Sequence, residues 1–262
     1  MKYAPYSASR LGTFKQCQRK FKYQYIDKLP YEFKPSVALT KGNIVHSFLE
    51  NHELDLAGKI EALKKEKQVI NSPFYSKELI KECLGIYKTY IESKLGQDNF
   101  NNLTLGNEMQ IALDKKLQPC GYLSKDVLFR GYIDRISVDQ KTDIVTILDY
   151  KTGKLKNEGP YKQPFDQPLY YASWYFEKFP VDTIILQFDF VEHNHEPMQK
   201  VLTRENLIKY KKFLLTNIMA AEKCETFEKT EGPLCDYCDF QDICMKDNDV
   251  LTLDITEDDI PF

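Results

Sequence analysis

The chain has 262 residues, 42% of them hydrophobic and 29% charged, with a formal net charge of −3 at pH 7. That length supports one sizeable core, and the composition is ordinary for a soluble globular protein. No apolar run approaches the roughly 18 residues of a membrane span, and the opening MKYAPYSASR lacks the apolar stretch of a secretion signal. A membrane partner is therefore excluded from the expectation, and a cytoplasmic setting is expected. The charge is uneven. Residues 247–262 hold six acids (Asp247, Asp249, Asp254, Glu257, Asp258, Asp259) and no Lys or Arg, so residues 1–246 carry 36 basic against 33 acidic groups. A mildly basic body with an acidic tail is compatible with nucleic-acid binding.

In chain order, Leu11, Phe14, Phe21 and Tyr25 predict a helix over 7–27, capped by Ser7. Within it, RKFKYQY (19–25) interleaves bases and aromatics, which suits either a stacked nucleic-acid strand or a buried face with solvated cations. Further helices are predicted near 43–57 and 76–95, and the Lys/Glu-rich stretch 59–69 reads as a solvated helical face. Strands follow near 104–114, 127–138 and 142–150, with Asp139–Thr142 as the turn of a hairpin. The run IVTIL at 144–148 is continuous and β-branched, as a strand covered on both faces would be. A helix over 166–178 has Asp166 as a candidate N-cap and Pro168 in its first turn. Strands near 182–191 and 197–202 and a long helix over 203–228 complete the body. There is no internal repeat and no G-x-x-x-x-G-K-[ST] motif, which excludes a nucleotide-driven motor.

Residues 131–154, GYIDRISVDQKTDIVTILDYKTGK, carry the strongest chemical signal. Asp134 ends one apolar stretch, and Asp149 ends the next, followed by Lys151. Strand side chains repeat every two residues, so Lys151 shares a face with Asp149. Two carboxylates with an adjacent ammonium suit a hard divalent cation, Mg²⁺ or Mn²⁺, and the stabilisation of a charged phosphoryl transition state. His46 in GNIVHSFLE, Glu108 in LGNEMQIAL, and Gln167 with Tyr171 on one helix face are the further candidates for this site. His193 and His195 read best as part of a turn, with a second metal site as the alternative.

GNIVHSFLE, NEMQIAL, FRGYIDRI, ILDYKTGK and DQPLYYASW, in that order, resemble the successive motifs of RecB-type nucleases of the PD-(D/E)xK superfamily. The resemblance covers most of residues 5–246. It implies an α/β fold with a restriction-endonuclease-like core, a central mixed sheet flanked by helices. It further implies a metal site of His46, Glu108, Asp134 and Asp149 with the Tyr150 carbonyl. Lys151 would be the catalytic lysine, with Gln167 and Tyr171 positioning it and the scissile phosphate. The activity implied is a metal-dependent DNA exonuclease, acting on single strands or duplex ends in recombination, repair or phage DNA metabolism. A CRISPR-adaptation nuclease that trims spacers and a non-catalytic DNA-binding adaptor are the alternatives.

The seven cysteines are odd in number, and Cys235, Cys238 and Cys244 crowd one segment, which favours ligation over disulfides. Three thiolates need a fourth, for which Cys17, Cys83, Cys120 and Cys224 are available. Residues 7–27 resemble the opening helix of the iron–sulfur branch of the same family, which includes CRISPR-associated spacer-acquisition nucleases and the nuclease half of AddB. By that resemblance Cys17 joins the other three around a 4Fe–4S cluster that fastens the N- and C-terminal segments together, with Zn²⁺ as the alternative. One departure is Gln18 after Cys17, where the family often has Pro. Cys83, Cys120 and Cys224 are then expected to be ordinary buried residues.

The division expected is a nuclease domain over 1–246 and an acidic tail over 247–262. The tail's last residues, Asp258, Asp259, Ile260, Pro261 and Phe262, resemble the tip of bacterial single-stranded-DNA-binding protein. Such a tip implies docking on proteins that bind it. Folding back onto a basic DNA groove is the other possibility.

Overall fold

The computed structural model describes residues 2–31, 35–153, 166–192 and 197–245. Its centre is a five-stranded sheet in the order β1-β2-β3-β4-β5, formed by Leu103–Asp114, Val127–Val138, Val145–Lys151, Thr183–Phe190 and Met198–Thr203. β1, β2 and β3 are antiparallel neighbours; β3 and β4 are parallel; β5 returns antiparallel to β4. A parallel pair needs a crossover. Here it contains the helix Asp166–Lys178, matching the predicted span; Asp166 is its first helical residue.

The other helices are α1 (Ala8–Gln16), α2 (Gln18–Phe21), α3 (Val37–Glu50), α4 (Leu56–Leu63), α5 (Lys67–Ile70), α6 (Lys77–Glu92), α7 (Lys94–Asn101) and, after the crossover helix α8, α9 (Leu207–Lys223). The sheet separates two cores. Val145 and Ile147 of β3 join Phe129, Trp174, Phe176 and Ile218 on the α1/α8/α9 side. Leu148 and Tyr150 join Ile44, Phe48, Tyr87 and Tyr90 on the α3/α6 side. This double cover is why IVTIL carries no polar alternation.

The N-terminal segment departs from the single helix expected. Cys17 adopts an extended backbone (φ −158°), ending α1 through its N–H to the Thr13 carbonyl. Its thiol then caps α2, accepting from the Lys20 N–H at 3.5 Å. The 19–25 stretch is not a stacking platform. Phe21 and Tyr23 are buried, Phe21 lies parallel to Phe227 at 6.3 Å, and Lys20 and Lys22 pair with Asp239 and Asp27. α3 starts six residues earlier than 43, because Ser36 caps it, accepting from the Leu39 N–H at 3.1 Å.

The 59–69 stretch is likewise not simply solvated. Lys59 is only 5% exposed and donates to the His52 carbonyl at 2.7 Å over the Tyr87 ring, while Leu63 and Val69 enter the core. α7 was not expected. Ser93 ends α6 and starts α7, its hydroxyl accepting from the Gly96 N–H at 3.1 Å. α9 ends at Lys223, short of the expected 228. Among the described residues no helix is long and apolar enough to cross a membrane.

The α6–α7 corner sets up one stability prediction. A Cβ on Gly96 would sit 2.0 Å from the Tyr90 carbonyl oxygen and 2.9 Å from the Ile91 Cα, both backbone atoms that cannot rotate away. Gly96→Ala is expected to destabilise the fold by about 2 kcal/mol or more through overpacking, readable in thermal melts. An unchanged midpoint would contradict this packing.

Candidate active site

Strand register and one helix build the site. β1 and β2 pair with Asn107 opposite Arg135 and Met109 opposite Ile133, which sets Glu108 opposite Asp134. Glu108 itself has φ 44°, a left-handed conformation that is strained for a residue with a side chain and costs about 1–2 kcal/mol. Such strain persists where the surroundings enforce it, often at functional sites. α3 brings His46 over the middle of these strands, beside Glu108 and Asp134.

His46, Glu108 and Asp134 each offer a ligand atom, and these atoms lie within 4.8 Å of one another. The His46 Nδ1 is 3.5 Å from Asp134 Oδ2, and its Nε2 is 3.0 Å from the Tyr150 carbonyl. Asp134 Oδ2 also accepts the Tyr150 N–H at 2.8 Å, tying β2 to β3.

Asp149 lies beside this group but is held differently. Its Oδ2 forms an ion pair with Lys151, and its Oδ1 accepts from Gln167 Nε2 at 3.0 Å. The same Gln167 amide donates to the Tyr171 hydroxyl at 2.9 Å. Gln167 thus holds the acid directly and reaches Lys151 only through it. The Lys151 ammonium also lies 5.4 Å from the centre of the Phe188 ring.

The electrostatics favour a cation. Burial, then the neighbouring Asp134, Glu50, Glu66 and Asp149, push the Glu108 carboxyl up to about 8. Burial and then Asp149 push Asp134 up to about 6, against the pull of His46 and Lys151. Carboxyls raised by burial and mutual repulsion are those a divalent ion would relieve. One imidazole with carboxylates and a nearby carbonyl is a hard, oxygen-rich donor set, which fits Mg²⁺ or Mn²⁺.

Two clefts meet here, and both include Asp134 and Lys151. One, of about 860 Å³, runs past His46 to Glu50 and Glu66. The other, of about 750 Å³, runs past Gln167 and Tyr171 to Arg130, Tyr132 and Tyr122. Glu50 and Glu66 are absent from the sequence-based candidates. Glu50 had a signal, one helical turn after His46; Glu66 had none, because it is delivered by the turn between α4 and α5.

Gly131 shapes the second cleft. A Cβ there would lie 2.9 Å from the Tyr171 ring. Tyr171 is buried in the core, so Gly131→Ala is expected to lower the melting temperature through overpacking. It should displace Tyr171 from Gln167 and lower turnover roughly tenfold or more; activity equal to wild type would contradict that role for Tyr171.

Cys17, Cys235, Cys238 and Cys244 line one cavity of about 340 Å³, together with Tyr23 and Phe240. All four are free thiols, and burial followed by the adjacent Cys17 raises Cys244. Their sulfurs are not tightly gathered: among the described residues no three approach within 4.8 Å of one another. Cys83 is buried as expected, whereas Cys120 and Cys224 are only half-buried, and Cys224 faces the Gln18 side-chain oxygen at 3.3 Å. His193, His195 and the tip Asp258–Phe262 lie outside the described residues.

A family model for the PD-(D/E)XK nuclease superfamily matches residues 5–245. No curated protein matches the chain. Among solved structures, a candidate exonuclease from Eubacterium rectale is similar over 88% of this chain and 86% of its own, at 13% identity and a TM-score of 0.51. The structure of SSO0001 matches over 78% of this chain and 93% of its own, at 14% identity and a TM-score of 0.33. The mixed sheet flanked by helices, the cross-strand Glu108–Asp134 pair and the Asp149-x-Lys151 strand end coincide with the matched region, and the chain belongs to the PD-(D/E)XK nuclease superfamily.

Proposed function

We propose that this chain is a metal-dependent DNA nuclease that removes nucleotides from single strands or DNA ends. The observation that carries this reading is the His46–Glu108–Asp134 group set beside the Lys151–Asp149 pair. His46, Glu108, Asp134, Asp149 and the Tyr150 carbonyl would hold the ion. A bound Mg²⁺ or Mn²⁺ supplies an acidified water and neutralises charge on the phosphoryl oxygens. Asp149 aims Lys151 through their ion pair, so that its ammonium can orient the attacking water and offset the developing charge. Gln167, locked by Tyr171, fixes the Asp149 carboxylate. End-labelled single- and double-stranded DNA incubated with Mn²⁺, with and without chelator, tests the reading. Release of labelled nucleotides that stops with chelator is expected; intact DNA under all conditions would sink it.

A 4Fe–4S cluster held by Cys17, Cys235, Cys238 and Cys244, which line one cavity, is the second part of the proposal, with Zn²⁺ as the alternative. The cluster's role would be structural, fastening the α1–α2 break to the C-terminal segment as metal ligation couples to folding. Anaerobically purified protein is expected to be brown, and Cys17→Ala to lose both colour and stability. Colourless protein containing one zinc would favour the alternative. The body over 1–246 would then be the nuclease and 247–262 a docking tail. Deleting Ile260–Phe262 is expected to abolish binding to a receptor of the single-stranded-DNA-binding-protein tip, and unchanged affinity would rule that partner out.

A further inference from the structure

The two clefts that meet at Asp134 and Lys151 differ in chemistry, and the difference gives the site a direction. On β2, Arg130, Tyr132 and Asp134 alternate along one face. The two-residue period therefore lays a cation, an aromatic ring and the metal-site acid in a row, spaced about 7 Å apart. Tyr132 is 42% exposed. Its ring lies 5.3 Å from that of Tyr122, and the Arg130 guanidinium covers Tyr122 at 5.1 Å. Among the described residues Arg130 forms no ion pair. The Gly12 side of α1, which borders the same cleft, leaves open space where a side chain would stand. An accessible row of aromatic and guanidinium groups leading to a phosphodiester-cleaving centre matches a single nucleic-acid strand: bases have faces to stack, and phosphates need a cation.

The opposite cleft has the wrong charge for a strand to continue. Beyond His46 it presents Glu50 and Glu66, close enough to repel one another and Glu108. Its cation there, Lys67, is exposed and so more screened by solvent and salt.

We propose that a single DNA strand docks along Arg130, Tyr132 and Tyr122, and that Glu50 and Glu66 repel phosphates beyond the centre, so the site accepts strand ends. This rests on the nuclease reading for its setting, but its test uses binding alone. In an Asp149→Asn background, fluorescence anisotropy compares linear and circular labelled single-stranded DNA. The linear strand is expected to bind several-fold more tightly than the circle. Arg130→Gln with Tyr132→Ala should weaken linear binding about tenfold or more and lower the salt slope by about 0.7. Both side chains reach solvent, so thermal melts should match the parent; Tyr122→Ala offers an independent probe of the same path. Glu50→Gln with Glu66→Gln should narrow the preference for the linear strand. Folded variants that bind as the parent does, or a parent that binds circle and linear strand equally, would overturn the proposal. Loss of nuclease activity in wild type would refute the nuclease reading and leave these binding results unaffected.

Discussion

Lys151→Met and Asp149→Asn are each expected to lower DNA hydrolysis by about 10³-fold, the scale on which a single preorganised charge in a reaction centre matters. Their effects on stability should differ. Asp149 is nearly buried, with a side chain 7% exposed, whereas Lys151 is 36% exposed. Removing the lysine leaves a carboxylate out of water beside Asp134, and a buried charge stripped of its partner costs about 3 kcal/mol or more. Removing the acid leaves an ammonium that reaches solvent, which costs little. The double variant is expected to recover stability without recovering activity. Chemical denaturation alongside cleavage of labelled DNA checks this pattern. Equal destabilisation by the two single variants would show that the pair is not arranged as described.

Glu108→Gln is expected to abolish cleavage while making the metal-free protein more stable at alkaline pH. Glu108 is held near 8, against an ordinary value of 4.5, chiefly by burial. A carboxyl whose pKa is raised on folding favours the folded state while protonated, and that contribution fades as pH climbs from about 4.5 through 8. The metal-free wild type should therefore lose stability across this window, and the Gln variant should lose less. Near pH 8.5 the difference is on the order of 3 kcal/mol, or roughly 5–10 °C in melting temperature. Asp134, raised to about 6, contributes in the same direction at lower pH. Saturating Mn²⁺ should reverse the order, because only the wild type then gains the full free energy of ligation. Melts at three pH values, with and without Mn²⁺, decide it; a wild type whose metal-free stability rises with pH from 6 to 8 would contradict the buried-acid description.

Part of the candidate site was legible in the sequence because strand side chains repeat every two residues, although Asp134 lies inside β2 and only Asp149 and Lys151 lie at a strand end. Asp134, Asp149 and Lys151 stood out from the hairpin and its apolar flanks, whereas helical spacing only put Gln167 and Tyr171 on one face and the family resemblance supplied their expected roles. The partners were less legible. That Gln167 holds Asp149 depends on where α8 crosses the sheet, a tertiary fact. Glu108 carries a backbone strain that no pattern announces, and Glu66 arrives through a turn between two short helices. The N-terminal segment misled for a related reason. Its spacing is helical on both sides of Cys17, and only the extended backbone and thiol cap at that residue break it. RKFKYQY read equally as strand-binding or core, and packing against Phe227 resolved it toward core.

The most direct test of the metal-dependent hydrolytic centre is an Mn²⁺ titration followed by electron paramagnetic resonance, with DNA cleavage measured at each point, for wild type and Asp134→Asn. Cleavage by wild type is expected to rise in step with bound Mn²⁺, and Asp134→Asn is expected to bind at least tenfold more weakly and to cleave almost nothing. Wild-type cleavage that proceeds without bound metal, or an Asp134→Asn protein that binds and cleaves as wild type does, would contradict the account.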